Sequence, residues 1–352
     1  MPAPLQQRFN TGDFPELHAL QTLTQRGNGL LRTETLCVVD AKGLKLPVHC
    51  LELGSTSPSV PAVGFFGGVH GVERIGSQVI IAFLQSLIER LHWDDTLMQM
   101  LESVRLVFIP VVNPGGMLRR TRSNPAGVDL MRNAPVEADP GVHWPLGGQR
   151  WSPALPWYRG PAGAPMQPEA QAVVRAVEQR LLPHPFSLSL DCHSGFGSID
   201  RIWFPYARTR RPIECLAEIY ALRTMFRTTH PYHGIYTIEP QAHQYTTHGD
   251  LWDCLYERSR AAPERLFIPL TLEIGSWAWV KKNPGQLFSL MGLFNPVAPH
   301  RQDRTLRRHL TFLDFLIRAA ISHARWRPPE AARQSLFDSA VAYWYRPKTA
   351  TM

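Results

Sequence analysis

An imidazole and a carboxylate stand three residues apart at His70 and Glu73, in the glycine-containing stretch 67–73. A second histidine, His193, and a second carboxylate, Glu273, occur far along the chain. Two histidine nitrogens and one glutamate oxygen are a ligand set that catalytic zinc uses, with a fourth position left open for water. A nearby carboxylate such as Glu273 can take a proton from that water. These residue types therefore predict a zinc site at His70, Glu73 and His193.

A carbonyl oxygen that gains negative charge during hydrolysis also needs a fixed positive group nearby. Arg122, in an arginine-rich stretch, is the candidate for this role. Taken alone, the spacing of His70 and Glu73 is a weak signal, because such pairs also arise by chance. The alternative is an ordinary strand-to-helix turn in which Glu73 stabilises the N-terminus of the following helix. The elements around the candidates decide between the two interpretations.

The candidate ligands and the candidate base lie just beyond the ends of predicted strands. These strands are apolar, as expected of strands buried on both faces, and they cover 62–66, 186–190 and 266–272. Glycines after the first strand allow a sharp bend into a predicted helix at 75–90. In an open α/β sheet, ligands bind at the carboxyl ends of the strands. We therefore expect the candidate residues to meet at one edge of the sheet.

Strand and helix patterns alternate along the whole chain, which indicates an α/β protein. We expect a single domain with a mixed, largely parallel central sheet flanked by helices on both faces. Residues 56–325 form the predicted catalytic region, residues 1–55 an N-terminal helix and hairpin packed on it, and residues 326–352 a basic C-terminal extension on the surface. The stretch 229–250 is predicted to be a loop. The remaining predicted elements are helices at 15–25, 168–182, 213–228 and 305–323 and strands at 35–39, 46–53 and 104–112.

The composition fits a folded, soluble enzyme, with 44% hydrophobic and 19% charged residues in a chain of 352. No apolar run reaches the length of a membrane span, and the first residues lack the apolar segment of a secretory signal. The five cysteines are odd in number and form no Cys-x-x-Cys pair, which favours a reducing compartment. We therefore expect a cytoplasmic protein without membrane partners.

The net charge of +8 reflects several arginine-rich stretches, at 119–122, 208–211 and 301–308. A basic surface can bind nucleic acid. No nucleic-acid-binding motif accompanies these stretches, so a solvated basic face or a preference for anionic substrates is the favoured interpretation. Nucleic acid is therefore not an expected partner, and the sequence leaves the oligomeric state open.

Several short motifs follow one another between residues 60 and 290. They are His70-x-x-Glu73, Asn113-Pro114, Arg119-Arg120-Thr121-Arg122-Ser123, Gly127-Val128-Asp129-Leu130-Met131-Arg132-Asn133, Tyr158-Arg159-Gly160-Pro161, Gln167-Pro168-Glu169, Asp191-Cys192-His193-Ser194, Tyr245-x-x-x-Gly249-x-x-x-Asp253-x-x-Tyr256 and Leu272-Glu273. In this order the set resembles that of the zinc carboxypeptidases related to carboxypeptidase A. The resemblance implies one zinc ion per chain and a peptide or acyl amino acid substrate.

The resemblance also implies roles at the metal. Its zinc ligands correspond to His70, Glu73 and His193. Glu273 matches the general base that activates water and later protonates the leaving amine. Arg122 matches the residue that polarises the scissile carbonyl. Asp129 matches the carboxylate that fixes the ring of the first ligand histidine.

On the substrate side, Arg132 matches the arginine that pairs with the C-terminal carboxylate, and Tyr245 matches a mobile tyrosine that closes over the substrate. Asn133 belongs to the motif of Arg132 and is counted with the substrate-binding residues. Trp252 matches a residue at the floor of the side-chain pocket, where a bulky apolar group argues against a basic substrate side chain. One position departs from the family pattern: Met131 replaces an asparagine before the arginine, and methionine does not usefully hydrogen-bond a carboxylate.

These features predict a metallocarboxypeptidase, a zinc-dependent hydrolase that cleaves a C-terminal amide or peptide bond with metal-activated water. Two alternatives use the same metal site, namely a cell-wall peptide amidase and an N-acyl amino acid deacylase. A non-enzymatic alternative is a catalytically inactive, metal-containing protein that binds peptides. Glu273 and Arg122 argue against this last alternative, because binding alone requires neither residue.

Overall fold

Buried apolar runs form the strands at the centre of the fold. The computed structural model describes residues 14–27 and 29–346. Its strands are β1 (Arg32–Ala41), β2 (Leu44–Gly54), β3 (Ala62–Gly67), β4 (Arg105–Ile109), β5 (Phe186–Ser194), β6 (Asp200–Phe204), β7 (Tyr236–Pro240) and β8 (Leu266–Ile274). They form one eight-stranded sheet in the order β1-β2-β4-β3-β5-β8-β6-β7. The four central strands β4, β3, β5 and β8 are parallel, and antiparallel neighbours flank them on both sides. The predicted mixed, largely parallel sheet is confirmed.

Helices cover both faces of this sheet, as predicted. They are α1 (Pro15–Arg26), α2 (Arg74–Arg90), α3 (Asp95–Glu102), α4 (Pro114–Arg119), α5 (Pro168–Arg180), α6 (Leu216–Thr229), α7 (Leu251–Ser259), α8 (Trp277–Lys282), α9 (Leu290–Phe294), α10 (Pro299–Ile321), α11 (His323–Trp326) and α12 (Glu330–Trp344). One apolar core lies between the sheet and the helices α1, α2, α6 and α10, and a second lies between the sheet and the helices α5 and α7. Helix α2 buries Ile75, Val79 and Phe83 at helical spacing, which fixes its N-terminus beside the end of β3.

The sequence analysis did not predict the short helices α3, α4, α7, α8, α9 and α11. Three further elements also differ from the sequence prediction. The strand β6 was not predicted, because it begins with two charged residues whose partners, Glu239 and Arg308, come from distant segments. The predicted loop 229–250 contains the short strand β7, which pairs only with β6 at the end of the sheet. The predicted surface extension contains helix α12, which packs on α6 and buries Ala340 and Trp344. In each of these three cases a contact with a distant part of the chain stabilises the element.

The predicted N-terminal hairpin, β1 and β2, is continuous with the central sheet through the pairing of β2 with β4. Two buried ion pairs reinforce this junction, because Glu52 accepts from Arg105 and Arg180. The boundaries at residues 55 and 325 stay predictions. Residues 1–13 of the predicted N-terminal region and 347–352 of the predicted extension lie outside the described residues.

Two observations bear on the surroundings of the protein. Across residues 14–27 and 29–346, no helix combines the length and apolar character that a membrane span needs. All five cysteines are unpaired, and four of them are buried.

Candidate active site

The ends of three adjacent parallel strands bring the candidate residues to one edge of the sheet. His193 on β5 and Glu273 on β8 are direct register partners. His70 and Glu73 lie in the bend between β3 and α2. Helix α2 approaches β5 closely because Gly76 has no side chain, and a Cβ atom there would lie 2.1 Å from the carbonyl oxygen of Cys192. Parallel pairing and this close approach together determine where the site lies.

His70, Glu73 and His193 form a compact buried cluster. The Nδ1 atom of His70 lies 3.0 Å from Oε1 of Glu73, and the Nδ1 atom of His193 lies 3.1 Å from Oε2 of the same carboxylate. The two Nδ1 atoms are 3.2 Å apart. Glu73 occupies the N-cap position of α2 but makes no capping hydrogen bond with its side chain. Its carboxylate instead faces the histidines, so the simple capping interpretation does not describe this residue.

Each of the two histidines is held from behind by a buried carboxylate. The Nε2 atom of His70 lies 3.0 Å from Oδ1 of Asp129, as the sequence resemblance implied. The Nε2 atom of His193 lies 2.8 Å from Oδ2 of Asp191, a residue that the sequence analysis did not single out. Because an ionised carboxylate only accepts hydrogen bonds, each Nε2 atom carries the proton and each Nδ1 atom presents a lone pair.

This arrangement tests whether the cluster fits a metal cation. Two Nδ1 lone pairs and one carboxylate face one another at 3.0–3.2 Å without a donor between them. Tetrahedral zinc with ligands at about 2.0–2.1 Å spaces them about 3.3 Å apart. Burial disfavours charge on His193, but Asp191 and Glu73 outweigh it and raise the pKa of this histidine well above its ordinary value. The site therefore favours positive charge beside Nδ1 of His193, and a metal ion would supply that charge in place of a proton. The donor set therefore fits zinc.

Arg122 links the cluster member Glu73 to Asp129, the carboxylate behind His70. Its Nε atom donates to Oδ2 of Asp129 over 2.8 Å, and its Nη1 atom donates to Oε1 of Glu73 over 3.2 Å. Burial opposes ionisation of Asp129, but Arg122 and His70 outweigh it and hold the pKa of Asp129 well below its usual range. The guanidinium is thus fixed at the wall of the site, where it can stabilise a developing negative charge.

Glu273 is a buried carboxylate beside this cluster and accepts a hydrogen bond from the backbone N–H of Phe196 over 3.0 Å. Burial, reinforced by the charge of Glu73, raises the pKa of Glu273 to about 8. A bound cation would act in the opposite direction and favour the ionised form. A carboxyl group with a raised pKa beside a metal site suits a group that both takes and returns a proton.

The three cluster residues, Arg122 and Glu273 line one cavity of about 690 Å³. Arg132 and Tyr245 also line it, together with Met131, Trp203 and Thr271. The outer wall comes from the loop 153–157 and from the segment 277–294, which contains the short helices α8 and α9. The acidic residues among the described lining residues are Glu73 and Glu273.

Residues 43–275 match the family model described as zinc carboxypeptidase. The chain belongs to this family. Short stretches resemble two carboxypeptidases: 97 residues are 31% identical to Carboxypeptidase SOL1 of Arabidopsis thaliana, and 151 residues are 27% identical to Carboxypeptidase D of Drosophila melanogaster. These stretches cover 27% and 40% of the present chain, but only 20% and 9% of the two relatives.

A solved structure of the family shows the same fold. The carboxypeptidase A of Helicoverpa armigera superposes with a TM-score of 0.65 at 18% sequence identity. The superposition covers 89% of the present chain and 74% of the insect protein. At this level of identity the likeness concerns the fold of the zinc carboxypeptidase domain.

Within this zinc carboxypeptidase fold, Arg132 presents an unpaired charge to the cavity. Its side chain is buried, its Nη2 atom contacts the carbonyl oxygen of Leu146 at 3.5 Å, and its Nε atom has no hydrogen-bond partner. Across residues 14–27 and 29–346, no carboxylate forms an ion pair with it. Tyr245 lies beside it, with the guanidinium carbon 6.0 Å from the ring centre. A buried arginine that lacks a counter-ion is suited to bind an anionic group of a ligand.

Asn133 and Trp252 lie away from the cavity surface. The side chain of Asn133 bridges the carbonyl oxygen of Arg159 and the backbone N–H of Gln167, so it holds two loops together. Trp252 was expected at the floor of the side-chain pocket. Its indole instead lies in the core and donates to Asp191, because helix α7 turns this position toward the sheet. Met131 does line the cavity beside Arg132.

Sequence reasoning missed two features of the site. The partner of the second histidine could have been recognised, because Asp191 and His193 are two residues apart on one strand and therefore share a face. The apolar outer wall left no comparable signal, since its residues lie in a loop and in two short helices that the sequence analysis did not predict. Among the described residues, the cluster of His70, Glu73 and His193 is the group that could hold a metal ion, and the histidines of 230–248 form no such group.

Proposed function

We propose that the protein is a zinc-dependent hydrolase that cleaves a peptide or amide bond next to a free C-terminal carboxylate. One observation carries this proposal: a single cavity contains both a cluster of three candidate metal ligands and Arg132, which has no counter-ion. The cluster supplies the site of bond cleavage, and the arginine supplies the anchor for the substrate. One zinc ion per chain, held by His70, Glu73 and His193, completes the proposed site.

Different residues of the chain have different roles in the proposed hydrolysis. Zinc in such a site lowers the pKa of water and polarises a carbonyl group. The Glu273 carboxylate takes a proton from the attacking water and later delivers it to the amine that leaves when the C–N bond breaks. Arg122, fixed by Asp129, stabilises the negative charge that develops on the carbonyl oxygen. Arg132 holds the terminal carboxylate, and Tyr245 covers it.

The lining of the cavity indicates an uncharged side chain at the C-terminus of the substrate. Besides Arg132, the lining of this cavity includes the uncharged residues Met131, Trp203 and Thr271. The two carboxylates of the cavity are Glu73, a proposed zinc ligand, and Glu273, the proposed base. A lysine or arginine side chain of the substrate would therefore find no free counter-ion. We therefore expect peptides with a C-terminal apolar residue to be better substrates than otherwise identical peptides that end in lysine.

A second candidate function is the hydrolysis of N-acyl amino acids. The observation that favours it is the apolar rim of the cavity, formed by Leu155, Trp277 and Leu290. These side chains are 42%, 63% and 54% exposed although they are apolar. Such exposed groups at the mouth of a cavity can cover an acyl chain or an apolar peptide segment. The carboxylate anchor and the metal cluster would serve both substrates.

A panel of blocked dipeptides, N-acyl amino acids, cell-wall peptides and C-terminally amidated peptides tests the proposal. We expect hydrolysis of substrates with a free carboxylate, complete inhibition by a zinc chelator and recovery on adding zinc. Activity that survives removal of the metal, or equal cleavage of amidated peptides, would contradict it. Faster turnover of acyl amino acids than of peptides would favour the second candidate.

The metal assignment makes a separate prediction. We expect the His193→Ala protein to lose most of its zinc, because one of three ligands and the hydrogen-bond donor to Asp191 disappear together. Elemental analysis after purification measures the effect. His184→Ala is the matched control, since His184 is buried and hydrogen-bonded to the backbone of Val60 but is not part of the cluster. Stoichiometric zinc in the His193→Ala protein would refute the ligand set.

We also propose a reducing, cytoplasmic location. The five unpaired cysteines support it, because structural disulfides are rare where thiols are kept reduced.

A further inference from the structure

A buried hydrogen-bond chain runs from Trp252 through Asp191 to the ligand histidine His193. The indole Nε1–H of Trp252 donates to Oδ2 of Asp191 over 2.9 Å. The same oxygen accepts from Nε2 of His193 at 2.8 Å. Trp252 and Asp191 are 2% and 0% exposed, so water does not compete for these bonds.

The two ligand histidines are supported in different ways. Asp129, behind His70, accepts three hydrogen bonds, from Nε2 of His70, from the backbone N–H of Met131 and from Nε of Arg122. Asp191 accepts only two, and its Oδ1 atom has no hydrogen-bond partner among the described residues. Among the described residues, the indole of Trp252 is therefore the one group besides His193 that donates a hydrogen bond to the Asp191 carboxylate.

Trp252 is itself held firmly in place. It lies in the first turn of α7, where Oδ1 of Asp250 accepts hydrogen bonds from the backbone N–H groups of Trp252 and Asp253. Its ring packs edge-on against Phe66 of β3, with ring centres 5.0 Å apart and an angle of 65° between the planes. The indole thus connects the helix, the strand that leads to His70 and the carboxylate behind His193. A donor fixed both by its helix and by this ring contact can determine the orientation of its acceptor.

We propose that Trp252 is a positioning residue of the metal site, whose indole N–H orients Asp191 and through it the ring of His193 toward the zinc ion. This inference rests on the proposed zinc site. Groups that hydrogen-bond to metal-ligating side chains typically contribute about 10- to 100-fold in metal affinity. The uncharged indole leaves the negative charge of Asp191 available to His193, whereas Arg122 offsets the charge of Asp129 on the other side.

The substitution Trp252→Phe tests the proposal, because it keeps a ring against Phe66 and removes only the donor and the outer part of the indole. We expect the zinc dissociation constant, measured by competition with a chromogenic chelator, to rise about 10- to 100-fold. We also expect the visible absorption bands of the cobalt-substituted protein to shift, because the ligand field follows the orientation of the His193 ring.

Trp344→Phe is the matched control. Trp344 is also buried, and its Nε1–H donates to the backbone oxygen of Ile238, far from the metal cluster. It should lose thermal stability like Trp252→Phe in the metal-free state but keep the zinc affinity and the cobalt spectrum of the wild type. Equal zinc affinity of the Trp252→Phe and wild-type proteins would overturn the inference. A wild-type protein that does not bind zinc would overturn the proposed function itself.

A measurement on the unmodified protein keeps the inference testable if Trp252→Phe does not fold. In an ¹⁵N-labelled sample, the indole N–H resonance of Trp252 should shift when zinc is added to the metal-free protein, and the resonance of Trp344 should not. Resonances that respond equally, or not at all, would show that the indole is not coupled to the metal site.

Discussion

Glu273→Gln should lower kcat by about 10²- to 10⁴-fold, the range that general acid–base catalysis typically contributes. The amide keeps the size of the carboxyl group and can still accept the hydrogen bond from Phe196 N–H, which spans 3.0 Å. It cannot take a proton from water. Zinc content and KM should stay near the wild-type values, because the ligand cluster and Arg132 are unchanged. Side-by-side measurement of kcat, KM and zinc content on the first substrate found checks this prediction.

The pH profile adds a second readout for Glu273. Burial raises the pKa of this carboxyl group, so its ionised form is lost as the pH falls. Since the proposed base must be ionised, kcat/KM of the wild type should decrease toward acid pH, and the Gln variant should lack this limb. A bound zinc ion should lower the pKa of Glu273, so this decrease should occur at a lower pH than burial alone would cause.

Glu169→Gln is the control for Glu273. Glu169 is also buried, with a pKa raised by burial, but it contacts Asn124 outside the cavity. It should keep the wild-type kcat. A Glu273→Gln enzyme with near-normal kcat would show that the proposed proton transfer is wrong, even if the metal assignment holds.

Arg132→Met should lower kcat/KM for substrates with a free carboxylate by about 30- to 5,000-fold. Removing one partner of a buried, hydrogen-bonded charge pair costs about 2–5 kcal/mol. The effect should appear mainly in KM, because the carboxylate is bound in the ground state and in the transition state alike. The substitution leaves no protein carboxylate unpaired, since Arg132 forms no ion pair within the described ranges 14–27 and 29–346. Steady-state kinetics on matched free and amidated peptides measure the loss.

The amidated peptides are the decisive comparison for Arg132. They should be poor substrates of the wild type, and the substitution should change their turnover little. Arg150→Met is the matched control, because Arg150 lies on a neighbouring loop, bonds to the carbonyl oxygen of Gly160 and does not line the cavity. An equal loss for both kinds of peptide would indicate a general distortion of the site. No loss for either would show that the substrate is anchored elsewhere.

The loop prediction for 229–250 and the omission of β6 show where reading the sequence reached its limit. Strand β7 has a half-buried pattern and occupies the end of the sheet, so its residues carry little hydrophobic signal. Strand β6 lies between β8 and β7, and its charged residues Asp200 and Arg201 are neutralised by partners far away in the chain. A window of local sequence does not contain those partners.

The sequence by itself determined the parts of the protein whose signal is local. Buried apolar runs indicated the parallel core strands, and the glycine-containing bend after β3 indicated where His70 and Glu73 stand. His193 and Glu273 were placed correctly at the ends of β5 and β8, because parallel strands end at the same edge of a sheet. Periodicity and strand ends are properties of short segments, so they can be recognised without knowledge of the fold.

Only the tertiary structure decided which groups surround those residues. The match of Trp252 to a family position suggested a pocket floor, but the packing of α7 on the sheet turned its indole toward Asp191. Arg132 lies at the cavity without a counter-ion, and a loop and two short helices supply the apolar rim. These features depend on side-chain directions and on contacts between residues more than fifty positions apart. Strand order and helix packing, rather than any local pattern, determine such contacts.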